Sequence, residues 1–221
     1  MDGQIRKIIA LHLIVGLALS GCAQYKKPPL TVKVPDFYPH KTQLNKMTIV
    51  ADPYFEKSKM TYIFNNDLLE KGFLAIHFIA FNFGEESYDL SKSEFVLERD
   101  DNFELRPLNP DQVAKRVFKH TPLRMIGWGF AGLIILSIPF SLAAGADSYR
   151  SNKATRKALK DEVLKVFEVN EKEAVSGFYF FELGRRKREI REALQRQYQF
   201  KIRGIVNKNT EKSYDLAIGL N

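Results

Sequence analysis

The chain has 221 residues, a formal net charge of +8 and a single cysteine. One cysteine excludes an intrachain disulfide, and the length suits one domain of ordinary size together with a linker or an insert. The 17 phenylalanines and 9 tyrosines favour strands over helices.

The first 21 residues have the layout of a secretory signal peptide. Arg6 and Lys7 precede a short apolar run, Ile8–Leu19, which is followed by a Ser-Gly pair. The run is about 12 residues long, whereas a helix that crosses the hydrocarbon core of a bilayer needs ~20. We therefore predict export and removal of residues 1–21 rather than a transmembrane anchor.

The motif Leu19-Ser20-Gly21-Cys22 resembles the lipobox of bacterial lipoproteins. The resemblance implies that the thiol of Cys22 is acylated and that Cys22 becomes the first residue of the mature chain. A diacylglyceryl thioether and an N-acyl chain together supply the hydrophobic signals that stable anchoring needs. Gln24 stands where an Asp commonly signals inner-membrane retention in such lipoproteins. The expected location is therefore the periplasmic face of the outer membrane rather than the inner membrane.

Residues 22–46 are predicted to form a lipid-anchored tether, because they are rich in proline and show little apolar periodicity. Loss of residues 1–21 removes two basic and one acidic side chain, so the mature chain stays basic. A basic surface beside a bilayer predicts contact with anionic lipid headgroups or envelope phosphates. Nucleic acid, the usual partner of a basic domain, is not expected for an exported lipoprotein.

A β-rich domain is predicted over residues 47–221. Its first strand is Met47–Asp52, and its strongest is Phe73–Asn82, which is apolar on both faces. A strand of that kind is central and covered on both sides. Shorter strands with turn residues between them are predicted at Ser87–Leu90, Glu94–Glu98 and Phe103–Arg106.

Residues 109–167 interrupt the strands and are predicted to form a helical insert. Asn109 at the N-cap, Pro110 at the first helical position and Gln112 at the third predict a capped helix that runs to about His120. The segment Met125–Ala146 then carries no charged side chain. A basic, helix-favouring stretch follows at residues 152–167.

The apolar segment Met125–Ala146 has three interpretations. As a helix it would reach ~33 Å, enough to cross a bilayer, but one crossing would separate two groups of strands that need each other. Pro139 and several glycines favour a bent or re-entrant element. We therefore favour an insert that dips into the membrane, with a buried helical hairpin packed on Phe73–Phe81 as the second interpretation and a true crossing as the third.

Alternating apolar residues return near the C-terminus, at residues 175–183, 198–203 and 213–220. The last two strands are joined by a polar turn, Asn207–Lys212, and are predicted to form a hairpin. About eight short strands with turns between them predict a mainly β fold, an antiparallel β-sandwich.

Two parts of the chain resemble uncharacterised bacterial lipoproteins with an immunoglobulin-like β-sandwich domain. They are the stretch from Asp52-Pro53-Tyr54 to Asn82 and the later Ser176–Phe181 motif. The resemblance covers about residues 47–220. It implies that the strand ending in Asn82 begins a turn and that the later motif is a strand of the same sandwich. It carries no activity with it.

Few motifs in the chain could carry chemistry. Gly127–Gly132 matches G-x-G-x-x-G but has no strand before it and no acidic residue before Asp147, so close packing of small residues explains it better than nucleotide binding. The histidines of the mature chain, His40, His77 and His120, have no partners at metal-ligand spacing. His77 is predicted to be a buried residue whose polar atoms are satisfied by a backbone group.

The run Arg185, Arg186, Lys187 and Arg188 is the most basic in the mature domain. We favour a solvated helix or loop that joins two strands, and contact with anionic lipid is the alternative. The carboxylate pairs Glu85-Glu86 and Asp100-Asp101 lie in polar, turn-like stretches, where solvated charge is the normal explanation.

These observations predict a cell-envelope lipoprotein that acts as a non-enzymatic binding or scaffold module. No catalytic residue, metal site or cofactor is predicted. The expected partners are membrane lipid, through acylated Cys22 and Met125–Ala146, and another envelope protein. The alternative is a lipid-handling enzyme or a transport accessory that uses the apolar insert as a lid or channel. Convergence of polar groups near His77 and the insert in the folded protein would discriminate between the two functions.

Overall fold

A computed structural model describes residues 29–118 and 151–220 of the protein. The predictions for Cys22 and the signal peptide, for His120, for Gly127–Gly132 and for Met125–Ala146 lie outside the described residues. Within the two described ranges, no helix is both long enough and apolar enough to cross a membrane.

The contacts divide the chain into two compact units. Every strand among the described residues lies in the unit formed by Lys27–Val117 and Arg156–Asn221. Of the other unit, Met1–Lys26 with Phe118–Thr155, the structure describes only Phe118 and the helical residues 151–155.

The protein is mainly β, and its strands form two antiparallel sheets. In chain order the strands are β1 (Lys41–Leu44), β2 (Met47–Pro53), β3 (Phe73–Asn82), β4 (Tyr88–Asp89), β5 (Glu94–Arg99), β6 (Glu104–Leu105), β7 (Glu168–Val169), β8 (Ala174–Glu182), β9 (Tyr198–Asn207) and β10 (Ser213–Gly219). The first sheet has the order β1-β2-β3-β8. The second has the order β6-β5-β9-β4-β7, with β10 paired to β9. The predicted β9–β10 hairpin is confirmed.

Three short helices join the strands: α1 (Lys57–Phe64), α2 (Pro110–Val117) and α3 (Lys187–Ala193). Residues 151–162 are also helical. The predicted cap of α2 is confirmed, because the Asp111 N–H donates to Asn109 Oδ1 at 2.9 Å and the Asn109 N–H donates to Gln112 Oε1 at 3.0 Å. These bonds satisfy backbone donors that the first turn of a helix leaves free.

Aromatic rings from the two sheets meet in the core. The ring of Phe78 on β3 lies 5.6 Å from that of Phe95 on β5, and Phe95 stacks on Tyr179 of β8 at 4.4 Å. The opposite face of the first sheet is covered by α1, where Phe64 packs edge-on against Phe178 at 5.0 Å. All ten residues of β3 are buried, which confirms that this strand is central and covered on both sides.

Strands from before and after the insert pair with one another in both sheets. In the first sheet β3 pairs with β8, and in the second sheet β5 pairs with β9 and β4 with β7. The two parts of the sequence therefore build one core.

Asn82 ends β3 and begins a turn, as the resemblance implied. Its buried side chain donates from Nδ2 to the carbonyl oxygens of Glu86 and Asn170, at 2.6 and 2.8 Å. Its Oδ1 accepts from the Gly84 N–H at 3.0 Å. One amide thus joins the end of β3 to the turn before β8.

The domain begins earlier in the chain than the sequence pattern indicates. Residues 41–44, in the range assigned to the tether, form β1, which pairs with β2 across a turn at Asn45. Tyr38 is also buried, against Val50, Ile79 and Phe81. The pattern did not mark β1 because only one of its residues, Leu44, is buried.

Candidate functional site

A cavity of about 460 Å³ lies on the face of the first sheet that is turned away from the second sheet. Its walls are residues 29–40, the end of β2 and helix α1, and the side chain of His77 lies at its base. We call it the His77 cavity. Its volume is within the range of about 300–1,000 Å³ that small-molecule sites occupy.

The register of β2 and β3 brings polar groups to the base of the cavity. Asp52 on β2 is directly opposite His77 on β3, so both side chains project from the same face of the sheet. Tyr54 follows β2, and its ring meets the His77 ring edge-on at 6.4 Å. The His77 ring stacks on Phe178 at 4.6 Å, which fixes the plane of the imidazole.

His77 is 2% exposed, and its Nε2 has no hydrogen-bond partner among the described residues. Its predicted burial is confirmed, but the backbone group that we expected at this atom is not found. Burial lowers the pKa of His77 to about 4, because a charged imidazolium is poorly solvated there. At neutral pH the ring is therefore uncharged, and its Nε2 is enclosed by protein atoms.

Asp52 is half-buried, and burial raises the pKa of its carboxyl group. Lys59, His40 and Lys33 lower that pKa by their positive charge, but desolvation is the larger effect. Among the described residues, no partner forms an ion pair or a hydrogen bond with the Asp52 carboxylate. The Asp52 oxygens are not among the buried atoms that lack a partner, so they are open to water and to a ligand that supplies a charged donor.

The mouth of the cavity carries positive charge and open aromatic rings. Lys33 and Lys59 are exposed, and Lys59 pairs with the exposed Glu56 carboxylate at 3.9 Å. The Lys59 ammonium lies 5.7 Å from the centre of the Tyr54 ring. The exposed aromatic residues that line the cavity are Phe37 (72% exposed), Tyr62 (61%) and Phe55 (39%). We call these three residues the aromatic rim.

His40, the other histidine that lines the cavity, already has a hydrogen-bond partner. His40 donates from Nδ1 to the Gly219 carbonyl oxygen at 2.9 Å, which ties the tether side of the cavity to β10. Within residues 29–118 and 151–220, no three His, Cys, Asp or Glu side chains are grouped so that they could hold a metal ion.

The basic run that the sequence singled out lies elsewhere. Arg185, Arg186, Lys187 and Arg188 are exposed at the start of α3, which joins β8 to β9, so the predicted solvated helix is found. Carboxylates neutralise part of the charge: Arg185 pairs with Glu182 at 3.0 Å, Arg186 with Glu189 at 3.8 Å and Arg188 with Glu192 at 3.5 Å. Contact of this run with anionic lipid stays a prediction.

The pair Asp100 and Asp101 lies in the turn between β5 and β6, as expected for solvated charge. Asp101 pairs with Arg99 at 2.6 Å, and Asp100 pairs with Arg196 at 3.4 Å. The Arg99 guanidinium holds the pKa of Asp101 at about 2.

Sequence reasoning missed Asp52 and Tyr54 as site residues. A signal was available, because polar residues at the end of an apolar strand often line a site. However, their approach to His77 depends on the register of β2 against β3 and on the path of residues 29–40.

Comparisons of the chain with protein-family models, with curated proteins and with solved structures gave no match. The function of the protein is therefore inferred from the chemistry of the described residues.

Proposed function

We propose that the protein is a cell-envelope lipoprotein whose domain is a non-enzymatic binding module, with the His77 cavity as its ligand site. The observation that carries this proposal is the pair of polar side chains at the base of the cavity. Asp52 and His77 both line an open space of about 460 Å³. The half-buried Asp52 carboxylate is open to that space, and His77 Nε2 is buried behind it without a partner among the described residues. A ligand that supplies a donor to Asp52 would gain a charge-assisted hydrogen bond there.

The domain in this proposal is an immunoglobulin-like sandwich. Two antiparallel sheets with aromatic rings in contact between them support the sandwich. The turn at Asn82 and the strand β8 at the Ser176–Phe181 motif support the resemblance to lipoproteins of that kind.

Membrane anchoring in this proposal comes from acylated Cys22, on the periplasmic face of the outer membrane, and from Met125–Ala146. Pairing of β3 with β8 and of β5 with β9 supports a segment that contacts the bilayer without crossing it. A single crossing would require paired strands to lie on opposite sides of the membrane.

Binding fits the electrostatics of the cavity better than catalysis does. A general base works best when its pKa lies near the operating pH, and burial lowers the pKa of His77 to about 4. The same burial suits an uncharged ring that forms part of the wall of a binding site.

The second candidate is a lipid-handling enzyme or a transport accessory. Convergence of Asp52, Tyr54 and His77 in one cavity favours this candidate, because a carboxylate opposite a histidine is a common starting point for proton transfer. If the protein turns over a lipid substrate and Asp52→Asn abolishes that turnover, the enzyme replaces the binding module as the proposed function.

The anchor is tested by substitution of the acylated residue. Cys22→Ser should prevent labelling by a fatty-acid probe and leave uncleaved or mislocalised precursor, because the thioether needs sulfur. Equal labelling of Cys22→Ser and wild type would contradict the lipoprotein assignment.

The ligand site is tested by photo-crosslinking in intact cells. A photoreactive phenylalanine analogue at Phe37, in the aromatic rim, should give one dominant adduct whose mass identifies the ligand. The control position is Phe103, which is 53% exposed but does not line the cavity. The same adduct from both positions, or none from Phe37, would contradict the proposal.

A further inference from the structure

We propose that the His77 cavity binds the headgroup of phosphatidylethanolamine in the membrane that holds the protein. The ammonium group would lie between Asp52 and Tyr54, and the phosphate would lie between Lys33 and Lys59 at the mouth. This inference rests on the proposed function of the cavity as a ligand site.

The charges of the cavity are arranged in two layers. The Asp52 carboxylate is half-buried beside His77, whereas the ammonium groups of Lys33 and Lys59 are exposed at the mouth. Glu56 also lines the mouth and pairs with Lys59 at 3.9 Å, so the two lysines leave the mouth with a net positive charge. The carboxylate at the base would attract a purely cationic ligand, but the lysines at the mouth would repel it. A purely anionic ligand would be attracted by the mouth and repelled by the base. A zwitterion with its cation inserted first is attracted by both layers.

The base of the cavity favours a primary ammonium group. A primary ammonium has three N–H donors, and the Asp52 carboxylate and the Tyr54 phenol line the space beside the His77 ring. The face of Tyr54 already attracts a cation, since the Lys59 ammonium lies 5.7 Å from its centre. A trimethylated ammonium has no N–H group and would leave these acceptors without a donor.

The mouth of the cavity favours a ligand that remains in a bilayer. The rings of Phe37, Tyr62 and Phe55 are exposed around it, and aromatic side chains with one open edge concentrate at membrane interfaces. Pro29, which lines the cavity, follows Cys22 by seven residues, a reach of at most about 25 Å for an extended chain. Acyl chains on Cys22 would therefore keep the mouth close to the headgroup layer.

The inference is tested with the full-length lipoprotein in a non-ionic detergent. Calorimetric titrations would use dihexanoyl phosphatidylethanolamine, phosphatidylcholine and phosphatidylglycerol, each below its micelle concentration, and free phosphoethanolamine. Phosphatidylethanolamine should bind at least about tenfold more tightly than the other two lipids, the factor that corresponds to 1.4 kcal/mol. Free phosphoethanolamine should bind more weakly than the lipid, because it does not contact the aromatic rim.

Two variants remove one charge each from the two layers. Asp52→Asn and Lys59→Gln should each weaken phosphatidylethanolamine binding by about tenfold, because each removes a charge-assisted contact. The matched controls are Asp36→Asn, whose side chain is 95% exposed and does not line the cavity, and Lys57→Gln, which changes a lysine of α1 that pairs with Asp67. Both controls should bind as wild type does, and a cooperative unfolding transition in all four variants would confirm that each is folded.

Equal affinity for the three lipids, or unchanged binding in Asp52→Asn, would overturn the inference. If free phosphoethanolamine binds as tightly as the lipid, the claim that the ligand is a membrane lipid fails. If the adduct from Phe37 forms but is not phosphatidylethanolamine, the lipid assignment fails and the binding module stands. If neither an adduct nor lipid binding is found, both proposals fail.

Discussion

The buried imidazole of His77 couples the stability of the protein to pH. The pKa of an unfolded histidine is about 6.5, whereas the pKa of His77 in the folded protein is about 4. Between these values the unfolded chain binds more protons than the folded chain, so the free energy of unfolding falls as the pH falls. The contribution of His77 to the free energy of unfolding is therefore fully present above pH 6.5 and is lost progressively as the pH falls to about 4.

We expect His77 to account for about 3 kcal/mol of stability lost between pH 7 and pH 4. His77→Phe should remove this contribution while it keeps a ring stacked on Phe178. Asp52 acts in the opposite direction: its raised pKa means that the folded protein protonates this carboxyl group at a higher pH than the unfolded chain does. Wild type and His77→Phe share this contribution. Urea unfolding at several pH values measures the difference, and parallel curves for the two proteins would contradict the assignment.

Asn82, unlike His77, is a buried polar residue whose side-chain nitrogen and oxygen both have hydrogen-bond partners. It is 2% exposed and makes three hydrogen bonds to the backbone. Asn82→Ala should lower the free energy of unfolding by about 3 kcal/mol, because buried carbonyl groups lose their donor. Gln195→Ala, which removes an amide from an exposed position, should change the stability by less than about 0.5 kcal/mol. Comparable losses in the two variants would show that the Asn82 bonds contribute little.

At the scale of elements, Gly177 permits the chain to cross from the first sheet to the second. Val163 bridges to Phe178 on β8, and the chain then continues to β7 in the other sheet. A Cβ atom on Gly177 would lie 2.3 Å from the Leu164 Cα and 2.5 Å from its nitrogen, which real contacts do not allow.

Gly177→Ala should therefore destabilise the protein by about 3 kcal/mol or more, the upper end of the cost of overpacking. The matched control is Gly219→Ala on β10, where a Cβ atom would meet nothing within 4 Å. Chemical denaturation of both variants measures the difference. A midpoint for Gly177→Ala equal to that of Gly219→Ala would mean that the crossing segment can move aside.

The elements that the sequence predicted are those whose apolar pattern or capping residues lie within the element itself. β3 is apolar at nearly every position, and the first turn of α2 contains its cap. The helix α1 was not predicted, although its buried residues Met60, Ile63 and Phe64 have helical spacing, because three residues in one short segment also fit a loop. The strand β7 has two residues, and its pairing with β4 decides its conformation.

At the scale of the molecule, the fold class followed from the alternation of apolar residues, but the site did not. The His77 cavity needs the register of β2 on β3 and the return of residues 29–40 over the sheet. Both are contacts between distant parts of the chain, and no local pattern encodes them. The two-sheet core likewise forms from strands on both sides of the insert.

That arrangement gives a prediction for Met125–Ala146. A Cys22→Ala protein, secreted through a signal peptide without a lipobox, should still partition onto anionic vesicles, because an uncharged segment with basic flanks favours a lipid surface. Replacement of residues 125–146 by a short Gly-Ser linker should abolish the partitioning and preserve a β-rich circular dichroism spectrum, since the strand pairs on either side of the segment do not include it.

The control for this experiment replaces the exposed Arg186 and Arg188 with Gln and keeps the segment. If this variant loses the partitioning and the deletion does not, the basic run of α3 and not the apolar segment contacts the lipid. Protease accessibility in spheroplasts gives the topology. Tags after Arg106 and after Asn221 should lie on the same side of the membrane, because β5 and β9 are hydrogen-bonded neighbours. Tags on opposite sides would mean that the segment crosses the bilayer and that the two groups of strands fold apart in the cell.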